Sequence, residues 1–225
     1  MGAEDEGEDR RVNRTEQAVS ASEARKAARQ VPLTDRVRAR ATAVLEPLGS
    51  LLAEKGVHPN AVTLVGFLLQ AACAALFALG RGRWGGILLL VVAPLDAVDG
   101  AVARAGGKES PFGAFLDSTV DRLADAVLIL GLTAHQFQEG MLLEAGLFLV
   151  ALVGSLMVSY TRARAEALGL SCKVGVLTRM ERILLIAVLA TVGWFSVLAW
   201  MLAILSAVTV FQRVIHVYRS SSRPE

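Results

Sequence analysis

Four aspartates occur where apolar residues otherwise dominate: Asp96 and Asp99 are three residues apart, and Asp117 and Asp121 are four apart. On a helix, both spacings place the two side chains on one face. Asp125 follows one turn further on. The connection between the two segments is short, so all four aspartates lie near the same end of their helices. Two such helices facing each other would converge four carboxylates on one pocket. A carboxylate in the hydrocarbon region of a bilayer is costly unless it is paired or faces a wet cavity. Four together cannot all stay ionised in a low-dielectric site without cations. Lysine and arginine are scarce nearby, Arg104 and Arg122 being the nearest. An oxygen-only ligand set favours Mg²⁺ or Mn²⁺. Two such ions could also accept phosphate oxygens and stabilise the attacking and leaving oxygens of a displacement. Gly100 and Ala103 share the face of the first pair, a small-residue patch that admits a ligand or a neighbouring helix, although plain helix packing explains these two by themselves.

The elements that position these residues are membrane helices. The chain has 225 residues, of which 54% are apolar. A mean hydropathy of +0.50 reflects long apolar runs rather than an even excess. With roughly 20 residues needed per crossing, six spans are expected: 61–79, 84–105, 113–135, 141–160, and two within 181–218 divided near Gly193 and Trp194. The fifth has the shortest apolar stretch. The expected fold is all-α and polytopic: an N-terminal arm over 1–56, a six-helix membrane domain over 57–219 and a tail over 220–225. The arm begins with an acidic tip (Glu4, Asp5, Glu6, Glu8, Asp9), then turns basic from Arg10 to Arg40. Residues 1–19 read as disordered. Residues 20–31 and 33–56 read as amphipathic helices lying at the interface, the second broken or kinked at Pro47. Basic residues gather in the arm, in 104–112, in 161–182 and at the C-terminus, whereas 136–140 has none. That asymmetry puts both termini and the aspartates on the cytoplasmic side of the cell membrane, with Arg81 and Arg83 as exceptions. Cys73 and Cys172 suit no disulfide, and no His/Cys metal spacing occurs. The first sixty residues contain no apolar run that would serve as a cleavable signal. No nucleic-acid partner is expected. A transporter or proton channel could also carry intramembrane carboxylates. So could a membrane protein that binds a nucleotide without turning it over.

Residues 96–121 read Asp-x₂-Asp-Gly-x₂-Ala-Arg-x₈-Gly-x₃-Asp-x₃-Asp. This resembles the signature of the CDP-alcohol phosphotransferase (phosphatidyltransferase) family at eight fixed positions: Asp96, Asp99, Gly100, Ala103, Arg104, Gly113, Asp117 and Asp121. The resemblance extends from His58 to about Arg213. It implies a membrane transferase of phospholipid biosynthesis that moves a phosphatidyl-type group from a CDP-activated lipid, CDP-diacylglycerol or CDP-archaeol, to an alcohol. It implies two Mg²⁺ or Mn²⁺ ions held by Asp96, Asp99, Asp117 and Asp121, with Asp121 also taking the proton of the acceptor hydroxyl. A carboxylate bound to a metal is a poorer base, because the cation lowers its pKa. The ion itself is therefore a second way of activating the hydroxyl. The resemblance further implies donor contacts from Gly100, Arg104 and Ser110, and from the element Pro59-Asn60-Ala61-Val62-Thr63, in which Asn60, Ala61, Val62 and Thr63 line the donor site. Family members are commonly homodimers, so a homodimer within the lipid bilayer is expected.

The acceptor is read from arginines near the cytoplasmic side. Arg162, Arg164, Arg179, Arg182 and Arg213 form a set suited to a phosphate through forked, charge-assisted hydrogen bonds. That points to an acceptor already carrying phosphate, inositol 1-phosphate or glycerol 3-phosphate. The competing explanation is positive-inside topology with pairing to Glu166 and Glu181. The stretch from Ser159 to Glu166 (SYTRARAE) and the element Arg179-Met-Glu-Arg182 look most like bacterial phosphatidylinositol-phosphate synthases and their archaeal counterparts. Carried over, Arg162, Arg179 and Arg213 are the best acceptor-phosphate candidates. Phosphatidylglycerophosphate synthase is the near rival.

Overall fold

The computed structural model describes residues 46–221, and among these the regular elements are all helical. The N-terminal arm up to residue 45 and the last four residues, with the readings made of them, lie outside the described residues. Residues 46–54 are helical, Pro47 included. There follow α1 (Pro59–Ala78), α2 (Gly82–Val92), a 3₁₀ turn (Ala93–Ala97), α3 (Val98–Ala105), α4 (Pro111–Gln138), α5 (Leu142–Ala167), α6 (Arg179–Val192) and α7 (Phe195–Ser221).

Local chemistry sets these boundaries. His58 and Ser110 stand before Pro59 and Pro111, and their side chains accept from the backbone N–H groups of Asn60 and Gly113. A side-chain acceptor followed by proline at the first helical position satisfies free amides and presets φ. Thr178 and Glu181 form a capping box at the start of α6. Gly193, at φ +85°, closes α6 in the left-handed conformation that glycine adopts without strain. Pro94 lacks an amide donor, and there the helix tightens to a 3₁₀ turn before resuming as α3. That irregular turn carries Asp96.

Among the described residues, four helical stretches are long and apolar enough to cross a membrane: Pro59–Ala78, Gly82–Ala105, Leu142–Ala167 and Phe195–Ser221. The chain is therefore a multi-pass membrane protein by the length and composition of its helices. The other two expected spans fall on α4 and α6, for two different reasons. Helix α4 carries four charged residues, Asp117, Asp121, Arg122 and Asp125, over its N-terminal and middle turns. Helix α6 has 14 residues. At 1.5 Å per residue it is about 21 Å long, against about 30 Å of hydrocarbon.

Helix α1 packs along α4, α4 along α5 and α5 along α7, while α2 lies against α6. The core joins Cys73 and Phe77 of α1, Leu128 and Leu132 of α4, Phe148 of α5, Ile186 of α6, and Leu198 and Leu202 of α7. Small residues allow the close approach. A Cβ on Gly131 would collide with the Ala74 backbone, and one on Gly154 would stand 2.6 Å from Ser206 Cβ. This is the packing mode of helices that have no hydrophobic drive between them. Many large apolar side chains face outward, Leu68, Leu143, Val153 and Phe211 among them. On a water-soluble surface this would be an aggregation hazard; against lipid it is the expected exterior.

Candidate active site

Helix α1, the 3₁₀ turn, α3, the first half of α4 and the first residue of α6 enclose one cleft. Its lining includes Val62, Thr63, Gln70, Asp96, Asp99, Asp117, Asp121 and Arg179. All four signature aspartates therefore reach the same space, as their spacing predicts. Each is held differently. Asp96 Oδ1 accepts from Gln70 Nε2 at 2.7 Å. Asp99 is buried and accepts from Thr63 Oγ1 at 2.6 Å and from the Gly100 amide at 2.6 Å. Asp117 and Asp121 project from successive turns of α4 and are half-buried.

One guanidinium sits among them. Arg179 Nη2 is 2.7 Å from Asp96 Oδ2 and 3.0 Å from Asp121 Oδ1, and Arg179 Nε is 3.8 Å from Asp125 Oδ1. Asp125 is buried one turn below Asp121 and is ion-paired with Arg182. Asp96 Oδ2 and Asp125 Oδ1 are buried and lack a well-directed hydrogen-bond donor. Among the described residues, no three acidic, imidazole or thiol groups converge tightly enough to cage an ion. Instead Arg179 bridges carboxylates from two elements. The donor set nevertheless suits a hard divalent cation. It is made of carboxylate oxygens, and two of its members are pinned by Gln70 and Thr63.

A family model described as CDP-alcohol phosphatidyltransferase matches residues 56–212. The chain belongs to this family. As a CDP-alcohol phosphatidyltransferase it is a transferase of phospholipid synthesis. It is 39% identical over 194 residues to the archaetidylinositol phosphate synthase of Pyrococcus horikoshii, covering 86% of this chain and 99% of the relative. It is 38% identical over 189 residues to the phosphatidylinositol phosphate synthase of Mycobacteroides abscessus, covering 79% of this chain and 84% of the relative. A crystal structure of Mycobacterium tuberculosis phosphatidylinositol phosphate synthase with CDP-DAG bound superposes with a TM-score of 0.73 at 33% identity, over 78% of this chain and 94% of that one. A second crystal structure of the same enzyme, in complex with manganese and citrate, gives a TM-score of 0.71 at 32% identity, over 77% of this chain and 88% of that one.

Of the residues expected at the donor, Asn60 to Thr63 and Ser110 lie at the N-termini of α1 and α4, and Gly100 and Arg104 lie on α3. A Cβ on Gly113 would be 3.1 Å from Ser110 Oγ and 3.5 Å from Asn60 Oδ1, so these three are neighbours. Thr63 and Val62 line the cleft, while Ala61 is exposed beside them. Arg104 is exposed and lies back against Gly100, where a Cβ would be 3.2 Å from its Nη1.

The five acceptor-side arginines do not form one cluster. Arg179 lies in the carboxylate cleft itself. Arg182, expected at an acceptor phosphate, is 1% exposed and paired with Asp125. Arg213 is also buried, donating to the Val158 carbonyl and, at 2.9 Å from Nε, to the Val174 carbonyl. Arg162 pairs with Glu166 at 2.8 Å on the exposed face of α5, and Arg164 is exposed beside it. Glu181 pairs with none of them and instead caps α6 through Thr178.

Several residues at or around the site escaped the sequence reading. Gln70 is a buried amide inside an apolar helix, and that incongruity is the signal that marks it. The loop before α6 is strapped to α7 by Leu177 N to Thr209 Oγ1 at 2.9 Å, Val176 N to Gln212 Oε1 at 3.2 Å, and His216 against the Ser171 carbonyl at 3.0 Å. Cys172, within this loop, is buried.

Proposed function

We propose that the protein transfers a phosphatidyl-type group from a CDP-activated lipid to a phosphorylated alcohol, inositol 1-phosphate, and releases CMP. The observation that carries the reading is the convergence of Asp96, Asp99, Asp117 and Asp121 on one cleft, with Arg179 among them. The relatives named as inositol phosphate synthases, from archaea and bacteria, support the choice of acceptor. The relative crystallised with CDP-DAG supports the donor class. Diacylglycerol and archaeol donors share the same CDP group, and the two sets of relatives are named for one lipid class each.

In this reading six helices cross the bilayer and the site opens to the cytoplasm, where CDP-lipid head groups and water-soluble acceptors meet. A homodimer follows from the family resemblance alone. Thr63 and Gln70 hold Asp99 and Asp96 in place. Asn60, Thr63, Gly100, Arg104 and Ser110 would receive the CDP part of the donor, Gly100 by leaving room and Arg104 by countering pyrophosphate charge. The acceptor hydroxyl attacks the lipid-side phosphorus: its O–P bond forms, the bond from that phosphorus to the bridging oxygen breaks, and CMP leaves with the electron pair. The hydroxyl proton passes to the Asp121 carboxylate. Asp96, Asp99, Asp117 and Asp121 would hold divalent cations, two in number, whose charge offsets that of the phosphates and makes the hydroxyl more acidic. Pre-placed charge of this kind acts most strongly where water is thin.

The test is CMP release by purified protein with CDP-diacylglycerol or CDP-archaeol, Mg²⁺ and one acceptor at a time. Inositol 1-phosphate should support turnover, and serine should not. Turnover with glycerol 3-phosphate alone would identify a phosphatidylglycerophosphate synthase instead. No CMP with any acceptor would remove the transferase reading in favour of a carboxylate-lined transporter.

A further inference from the structure

Arg179 is the first residue of α6. A cation there faces the positive end of the helix dipole and is disfavoured unless anions surround it. Asp96 at 2.7 Å and Asp121 at 3.0 Å supply those anions, one from the 3₁₀ turn and one from α4. These are two of the carboxylates assigned to divalent cations above, and the inference rests on that assignment. A divalent ion and a guanidinium compete for the charge of the same two carboxylates. Their mutual repulsion is large in a site shielded from water.

Arg179 also has the means to leave without being lost. Its side chain is 24% exposed at the cleft, whereas that of Arg182 three residues later is 1% exposed. Its Nε is buried without a hydrogen bond, as are Nε and Nη1 of Arg182, so what sets Arg179 apart is its exposure and its several carboxylate partners. Asp125 Oδ1, 3.8 Å from Arg179 Nε, remains as a tether when Asp96 and Asp121 turn to an ion. The released face of the guanidinium is a planar fork matched to a phosphate dianion.

We propose that Arg179 is an exchangeable cation. Divalent ion binding displaces it from Asp96 and Asp121, and the displaced guanidinium becomes a ligand for the phosphate of the acceptor. Ion binding and acceptor binding then reinforce each other, and linkage makes the effect reciprocal. An enzyme built this way does not assemble its acceptor site until the ions of the transfer reaction are present.

Mn²⁺ titration followed by electron paramagnetic resonance, on intact protein in detergent, tests this without relying on turnover. In the wild type, inositol 1-phosphate should tighten Mn²⁺ by about fivefold or more, the low end of ordinary coupling between sites. Arg179→Gln should bind Mn²⁺ more tightly than wild type when no acceptor is present, and should lose most of the tightening by inositol 1-phosphate. Arg179→Lys, which keeps a charge but cannot fork, should lie between them, and guards against misfolding of the glutamine variant. Unchanged or weaker Mn²⁺ binding by both variants, with wild-type melting temperatures, would overturn the inference while leaving metal-dependent transfer intact. Failure of the wild type to bind Mn²⁺ would overturn the cation reading itself, and the inference with it.

Discussion

Arg179 and Arg182 stand three residues apart on the same helix, both face aspartates, and both lie beside Asp125, yet their surroundings differ. Arg182 is sealed: its side chain is 1% exposed and that of its partner Asp125 is 4% exposed. Arg179 is shared over Asp96, Asp121 and, more distantly, Asp125, and it borders the cleft. A closed, buried pair is a fixed joint, here between α4 and α6. An open guanidinium divided among several carboxylates can be traded for another cation. The difference shows that residue type and depth are not enough to identify a functional charge; access and multiplicity of partners decide.

The largest effect should come from the open side. Asp121→Asn keeps size but removes the charge and the base. CMP release should fall about 10²–10⁴-fold, the usual worth of a positioned acid–base group, while CDP-lipid still binds in a filtration or fluorescence assay. Near-normal turnover would take Asp121 out of the mechanism.

The sealed side should respond in stability rather than in chemistry. Arg182→Ala leaves Asp125 buried without its partner and should lower unfolding stability by about 3–5 kcal/mol, read as a melting shift in detergent. Replacing both partners, Arg182→Met with Asp125→Leu, should recover most of it. If the double change is no better than the single one, the pair is more than a joint and the contrast with Arg179 weakens.

Smaller effects sharpen the boundary between the two. Gln70→Leu removes the donor that pins Asp96 Oδ1. Loss of such a supporting contact typically weakens a metal about 10–100-fold, so Mn²⁺ affinity should drop while the fold survives. An unaltered affinity would mean Asp96 is oriented by Arg179 instead. Arg162→Ala breaks an exposed pair with Glu166 and should change stability by no more than about 1 kcal/mol. A clear rise in the acceptor KM would return Arg162 to the acceptor site.

The aspartate cleft was legible in sequence because its signal is an energetic contradiction: charges placed at helical spacing inside apolar segments. Helix positions were legible for a related reason, since apolar runs and the Pro59, Pro111 and Gly193 boundaries are local properties. What local patterns do not carry is which partner a buried charge takes. Arg179, Arg182 and Arg213 look equivalent as letters, and only the packing of α6 against α2 and of the strapped loop against α7 sends one to the cleft, one to Asp125 and one to backbone carbonyls. Gln70 was overlooked because a single amide barely lowers the hydropathy of α1, although its burial makes it a required hydrogen-bond donor.

The central claim is that the acidic cleft receives a divalent cation in the place Arg179 now holds. Crystals grown with Mn²⁺, recorded at the manganese absorption edge, test it directly. The account predicts an anomalous peak bounded by Asp96, Asp99, Asp117 and Asp121, with the Arg179 guanidinium drawn away from Asp96 and Asp121. A map with Arg179 still bridging those two carboxylates, and no anomalous density among the four, would contradict it.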